Sequence, residues 1–478
     1  MRKILAFSLV LVMMLTGCSA SVTNTVGTNS NHDNALLPSE VTVEFDDPTE
    51  NMAELDSLPA NNVYASSTEK IYFTDENGKA KFNIVYPEKT IEIIHDAAEV
   101  LRTKLKSVAG VDFKKHSDAT DATDDTYEIL IGDTNRSQSK HTLGEKEYVI
   151  KVDGNKIVIV GGSYYATAVA VSEFKDLFSR SLPYVKKNLS LKSSANTVYR
   201  AAVSNSGEAS VEIYEITPFN TKPVLVKRFY NVGATGINFR MTEKYGEVMV
   251  CASGQVAKVI DYDTGKEIWK REDVAKGAHG AELLPNGVVA VASSTSDTVS
   301  FFNMNGTAKK TVTLDDAHAV LWDPKYQVVW AAGYTEIRAY KVTVSSSGAI
   351  TVTEDQSKRS PFNNTGGHDL APVYYDKDKM WFSAFGKVYI YDKTNKKYNE
   401  VIPGDNGIMG VRRVKGVGNF PDGSMITTYP DEKKTSLYTW TTEKLNFYFK
   451  YEGKLYYTPV YTPKNHYYKV RVVCTDYQ

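Results

Sequence analysis

Between residues 66 and 196 the apolar positions change period several times. Ile91, Ile94, Ala98, Leu101, Leu105 and Val108 recur at helical spacing and stop at Gly110, a residue type that tolerates the left-handed conformation ending a helix. Tyr127–Ile131 (YEILI), ended by Gly132-Asp133, reads as a strand. Glu147–Val152 and Lys156–Val160 flank Asp153-Gly154-Asn155, a hairpin signal. Gly161-Gly162-Ser163 then opens a second helix bearing Ala166, Val169, Ala170, Phe174 and Leu177, with Ser163 placed to cap it. With a short strand at Ile71–Phe73, the order predicts a small α/β domain over 66–196.

From residue 197 onward helical periodicity all but vanishes. Short apolar runs alternate with Gly, Asn and Asp turns, the pattern of a repeat architecture. Three turns share one phase: Leu284-Pro285-Asn286-Gly287, Asp323-Pro324-Lys325-Tyr326 and Phe420-Pro421-Asp422-Gly423. Six residues before each proline stand His279, His318 and Lys415. The same phase extends to Thr235, His368 and Lys469, at intervals of 44, 39, 50, 47 and 54 residues, normal for four-stranded blades. Only 10 residues remain from Lys469, but the 36 residues Tyr199–Ala234 carry three strand candidates and complete that repeat. The expected architecture is therefore mainly β: a six-bladed propeller over 197–478, preceded by the small α/β domain. The last strand closes the ring against the first ones and removes free edges. A seventh blade would have to come from residues 18–65, where no strand pattern stands.

The front of the chain adds location. Arg2 and Lys3 precede an apolar run, Ile4–Leu15, too short to span a bilayer alone. Residues 18–65 are rich in Ser, Thr, Asn, Asp, Glu and Pro, with an acidic stretch around Glu40–Asp56, and read as a flexible tether. No later segment approaches 18 continuous apolar residues. The chain has 478 residues with a net charge of −1, so no basic excess points to nucleic acid. Three cysteines exclude a disulfide scaffold and a Cys-rich zinc module.

Several segments resemble known families. The basic start, the apolar core and Leu15-Thr16-Gly17-Cys18 resemble a bacterial lipoprotein signal. The resemblance implies removal of residues 1–17 as signal peptide and acylation of Cys18, with palmitate-type chains. It places the protein at the cell membrane, lipid-anchored and facing outside the cytoplasm. YEILIGDTNR and YVIKVDGNKIVIVGGSYYATAVAVSEF resemble the non-catalytic α/β domain that precedes the barrel of family 20 hexosaminidases and the catalytic parts of α-glucuronidases. That implies a carbohydrate-active neighbourhood and carries no catalytic residue. HGAELLPNGVVAVA, HAVLWDPKYQVVW, GHDLAP, VKGVGNFPDG and YYKVR resemble an uncharacterised family of bacterial six-bladed, WD40-like propellers, which implies the fold and no activity.

Repeat symmetry turns the shared phase into a site. Equivalent positions at the start of each inner strand face the central channel, so Thr235, His279, His318, His368, Lys415 and Lys469 form a ring. Three readings fit it. Histidines and lysines, joined by Arg240, Arg413 and Arg471, make a cationic funnel for a carboxylated or phosphorylated ligand. His279, His318 and His368 on consecutive blades can face one divalent ion such as Mn or Zn; oligogalacturonate lyases, whose propellers have seven blades and hold a metal on axial histidines, are similar at the level of the fold only. Or the side chains simply tie neighbouring blades together. Glu282, Asp323 and Asp369 supply carboxylates in the same region for glycoside hydrolysis, which needs two of them. Trp322, Trp330, Trp381 and Tyr374 fit either a sugar platform or blade packing. Cys251 and Cys474 fall on neighbouring blades, where a disulfide or two buried thiols both fit. The leading expectation is a surface-anchored lipoprotein binding an acidic saccharide at the axis through Thr235, His279, His318, His368, Lys415, Lys469 and Arg471. A metal-assisted lyase or hydrolase on uronate-containing saccharide, and a protein-interaction scaffold, are the alternatives.

Overall fold

The computed structural model describes residues 43–44, 69–122, 125–233, 235–363, 366–401, 413–430 and 438–475. Cys18 and most of the expected tether lie outside them. No helix among the described residues is long and apolar enough to cross a membrane.

The first unit is a six-stranded sheet in the order 115–117, 83–86, 128–131, 156–161, 147–153, 190–194. The pairs among the first four strands are parallel, and the last two strands add antiparallel. Strand Glu128–Ile131 is buried along its whole length, with Glu128 paired to Arg136 and Lys156 and the three residues after it apolar without alternation. Helix α1 (Glu92–Ala109) buries Ile93, Ile94, Ala97, Ala98, Leu101 and Leu105 and ends at Gly110 with φ +74°. Helix α2 (Tyr164–Asp176) is capped by Ser163, whose Oγ accepts from the Ala166 N–H at 3.1 Å. The glycine pair before it is a packing requirement. A Cβ on Gly162 would lie 2.0 Å from the Gly144 carbonyl oxygen, and one on Gly161 would lie 2.4 Å from Thr167 N.

The remainder is a six-bladed β-propeller. Blades two to six have inner strands Gly236–Thr242, Ala278–Leu283, Ala319–Asp323, Gly367–Pro372 and Gly416–Asn419. Each meanders outward through three further strands. The first blade is composite. Its inner strand is Tyr467–Val472 from the end of the chain, paired antiparallel with Tyr199–Asn205 from the start of the domain. The circular closure expected from the repeat arithmetic is thus formed, and Ala202 stands opposite Arg471 across the seam.

One expectation is corrected. Val43–Glu44 forms a strand that pairs with Phe229 and Arg228 on the outer edge of the composite blade. A strand added to an edge is held by main-chain hydrogen bonds, which need no side-chain alternation, so the tether gave no pattern to read.

Blade interfaces use residues from the ends of inner strands. Asp323 accepts from Trp330 Nε1 at 2.7 Å and from Lys393 Nζ at 2.6 Å, all three buried. Trp381 Nε1 donates to Asn419 Oδ1 at 2.7 Å in the next blade. The α/β unit and the propeller share one apolar cluster, in which Tyr165 of α2 meets Phe449 at 5.2 Å between ring centroids. Lys454 pairs with Glu92 and Asp96 of α1 at the edge of that contact.

Candidate functional site at the propeller axis

Two local irregularities shape the axis. Between the inner and second strands of blade three the register shifts across Ala278 and Gly280, so His279 is the extra residue. Blade five repeats this between Gly367 and Asp369, and His368 is the extra residue there. An extra residue leaves the ladder and re-aims its side chain and carbonyl. In blade four His318 precedes the inner strand and its N–H still bonds Ala332. The three imidazoles come together in consequence. Ring centroids of His279 and His318 are 4.6 Å apart, and those of His318 and His368 are 4.8 Å apart.

Each ring has its protonation pattern set by a neighbour. Nδ1 of His279 lies 2.7 Å from the Gly277 carbonyl, and Nδ1 of His318 lies 3.0 Å from the Asp316 carbonyl. A carbonyl only accepts, so both Nδ1 atoms carry the proton. Lys415 Nζ donates to Nε2 of His368 at 3.1 Å, which leaves the proton on Nδ1 there as well. That His368 Nδ1 is buried without a hydrogen-bond partner among the described residues. In the neutral rings of His279 and His368 Nε2 is therefore the lone-pair acceptor, and that of His368 already receives Lys415. Burial holds His279 and His368 well below the usual histidine range, and the nearby lysines push the same way. These two rings are neutral at pH 7, so they act as acceptors rather than as members of a cationic funnel. Among the described residues no three metal-ligating side chains are gathered, as placed, around a common ion position.

Beneath the rings the positive charges are held by the chain itself. Lys469 Nζ donates to the carbonyl oxygens of His279, His318 and His368 at 3.0, 3.1 and 3.0 Å, with Asp369 Oδ1 at 3.4 Å. Burial draws the Lys469 ammonium down to about 8 and Asp369 opposes that, so it is still mainly charged at neutral pH. Arg471 forks onto Asp369 at 2.5 and 2.6 Å and bonds Asn238 Oδ1 through Nε at 2.9 Å. Thr235 Oγ1 is bonded to the Ala252 and Ala278 carbonyls. These three ring candidates are thus engaged in internal contacts. His279, His318, His368 and Lys415 form the layer above them, with the Tyr468 ring 6.0 Å from His279 and 5.6 Å from Lys415 Nζ. Arg413 lies apart from this layer, over the Phe385 ring.

The carboxylates suggested for glycoside hydrolysis are not presented to a ligand. Glu282 is fully buried, pairs with Arg240 and accepts the Leu283 and Trp322 N–H groups. Asp323 is held by Trp330 and Lys393, and Asp369 by Arg471. Trp330 and Trp381 are 0% and 2% exposed, so they are blade packing and not a sugar platform. Cys251 and Cys474 are free thiols. Tyr468 and Asn238 were not singled out by the repeat phase. Asn238 had one available signal, a polar residue inside the otherwise apolar inner strand GINF.

Among curated proteins none matches this chain. Similar solved structures include a functionally unknown protein from Desulfotomaculum acetoxidans, at 11% identity and TM-score 0.34, with 54% of this chain and 78% of that chain covered. The WD40 propeller domain of Doa1 aligns at 11% identity and TM-score 0.36, covering 58% and 83%. A protein of unknown function from Bacteroides caccae aligns at 14% identity and TM-score 0.39, covering 57% and 98%. The profile of a family of unknown function (DUF6528) matches residues 169–470, well over half of the sequence, and the chain belongs to that family.

Proposed function

We propose that the protein is a lipid-anchored binding protein whose propeller takes an acidic saccharide at the buried axial layer of His279, His318, His368 and Lys415. One observation carries this reading. The neutral rings of His279 and His368 and the ring of His318 stand in one layer with a lysine ammonium, and Nε2 of His279 is an acceptor. Sugar hydroxyls donate to imidazole nitrogens, and a uronate carboxylate pairs with the ammonium, so one acidic sugar satisfies both halves of the layer. The field favours the anion as well. Among the described residues, the inner strands direct buried Lys415, Lys469, Arg240 and Arg471 to the axis against buried Asp369 and Glu282. That leaves more positive than negative charge there.

The setting agrees. Leu15-Thr16-Gly17-Cys18 supplies the anchor, and the α/β unit resembles domains found beside sugar-cleaving enzymes. The test is calorimetry on detergent-solubilised protein with acidic oligosaccharides and with neutral ones of equal length. Wild type should bind the acidic series only, and Lys415→Met should weaken binding by about tenfold or more. Equal heats from Lys415→Met, or from a folded His279→Ala/His318→Ala variant, would remove this layer from the ligand site. Parallel runs with Mn and Zn belong in the same series, because imidazole nitrogens also ligate those ions. Ultraviolet absorbance of an unsaturated uronate would reveal a lyase instead of a binder.

A further inference from the structure

The axial layer is nearly covered, with His279, His318, His368 and Lys415 between 3% and 7% exposed. A ligand approaching it meets the rim of the channel first, and blade six enlarges that rim. Its second and third strands, Met425–Thr428 and Lys444–Tyr451, are joined by residues 429–443. The same connection takes only two to four residues in blades two to five. Gly416 stands opposite Thr428, so this connection leaves the blade at the end where Lys415 enters it. Long connections on a rigid scaffold are where binding residues concentrate.

Toward blade five the rim carries a cation. Arg413, two residues before Lys415, is exposed, and its guanidinium lies 5.3 Å from the centroid of the Phe385 ring. Phe385 is itself 40% exposed. Arg413 has φ +71°, a conformation uncommon outside glycine, and its N–H donates to the Phe385 carbonyl at 2.9 Å. No carboxylate pairs with Arg413 among the described residues.

Toward blade one the rim carries aromatic rings. Thr442 exchanges both main-chain hydrogen bonds with Tyr467 at the start of the closing strand. That bridge sets Tyr438 and Trp440 near His466. The Tyr438 and Trp440 rings stack at 5.0 Å and 28°, and Tyr438 meets the His466 ring edge-on at 5.7 Å. All three are partly exposed. Segments 413–416, 438–442 and 464–466 carry Arg413, Lys415 and Lys464 and no acidic residue. Glu208 follows Gly207, where a Cβ would lie 2.4 Å from His466 Cδ2, so these cations face one carboxylate.

Resting on the saccharide reading of the axis, we propose that the ligand is an acidic oligosaccharide lying across the rim of blade six. A carboxylate of one unit pairs with Arg413, and the ring of another unit stacks on the Tyr438–Trp440 pair. A guanidinium matches a carboxylate with two parallel hydrogen bonds, and the C–H face of a pyranose packs on aromatic rings. The rim thus rewards the length of the ligand, and Lys415 rewards its charge at the axis.

The experiment is calorimetry of the full chain with galacturonate, digalacturonate and trigalacturonate. Wild type should bind the trimer at least about tenfold more tightly than the monomer. In Arg413→Gln and in Trp440→Ala the trimer should fall to within about threefold of the wild-type monomer affinity. Arg413 is exposed, so Arg413→Gln should melt like wild type. A trimer bound no tighter than the monomer, or a length gain kept in both variants, would overturn the rim site alone. Lys415→Met reports on the axis separately: unchanged affinity there, with the length gain still dependent on Arg413, would overturn the axial site alone. No binding of any of the three sugars would overturn both.

Discussion

The ammonium nitrogen of Lys469 lies 3.0 Å from the carbonyl oxygen of His279, a residue 190 positions earlier in the chain. The same nitrogen reaches the carbonyls of His318 and His368. A single side chain on the closing strand therefore fastens blades three, four and five to the first blade through the centre of the ring. Circular closure joins the composite blade along its seam, and this contact joins it across the axis. The register shifts at His279 and His368 are what release two of those carbonyls from the strand ladders.

Lys469→Met should be strongly destabilising. It leaves three converging carbonyls without their shared donor, at about 1–3 kcal/mol for each buried polar group left unsatisfied. Lys469→Arg should not restore the loss, because a planar guanidinium does not match three acceptors gathered on one point. Denaturant midpoints measure both. A Lys469→Met protein within about 0.5 kcal/mol of wild type, the usual range of an inert surface substitution, would mean that the axial contact contributes nothing.

Removal of Lys469–Gln478 should abolish cooperative unfolding. Ala201, Ala202 and Val203 lose their ladder partners, and the propeller opens along an unpaired inner edge. Thermal melts followed by circular dichroism, with gel filtration for aggregation, report the outcome. A truncated chain that melts like the full one would contradict the seam.

Stability should fall on acidification, starting near pH 6.5. The unfolded chain takes up protons on His279 and His368 below that value, while the folded rings stay neutral because burial and the neighbouring lysines depress their pKa. The unfolded state then binds more protons, so stability rises with pH through this window and drops as pH falls. Each histidine contributes up to about 1.4 kcal/mol per pH unit until its folded pKa is reached. His279→Gln/His368→Gln should flatten that limb of the pH profile. An unchanged slope would show that neither ring is held neutral.

The mature protein should partition with membranes through Cys18, which lies outside the described residues. Cys18→Ala should release it or leave it uncleaved, read by fractionation and by the mass of the first peptide. Wild type recovered wholly soluble and unacylated would refute the anchor.

Much of the architecture could be read without coordinates because a propeller repeats itself. Turn prolines at Pro285, Pro324 and Pro421 mark a phase, and the phase places His279, His318 and Lys415 at equivalent points whatever their neighbours are. The missing partner of the last strand followed from repeat length and the strand candidates within Tyr199–Ala234. The α/β unit was legible where a periodicity ran long enough, as in α1, and illegible where it did not. Strand Asn83–Tyr86 has four residues and went unseen, although it lies inside the sheet with a partner on each side.

What each axial residue does was decided only by the tertiary structure. Phase locates a residue along a strand but carries no information about a one-residue register shift, and such shifts aim His279 and His368. Nor can it assign partners. Lys415 and Lys469 are equivalent in the repeat, yet one meets an imidazole nitrogen and the other meets three carbonyls and a carboxylate. The difference comes from residues 101 to 190 positions away, brought together by ring closure. Protonation states follow the same rule. The charge of a histidine depends on burial and on the sign of its neighbours, and both exist only after the chain has folded.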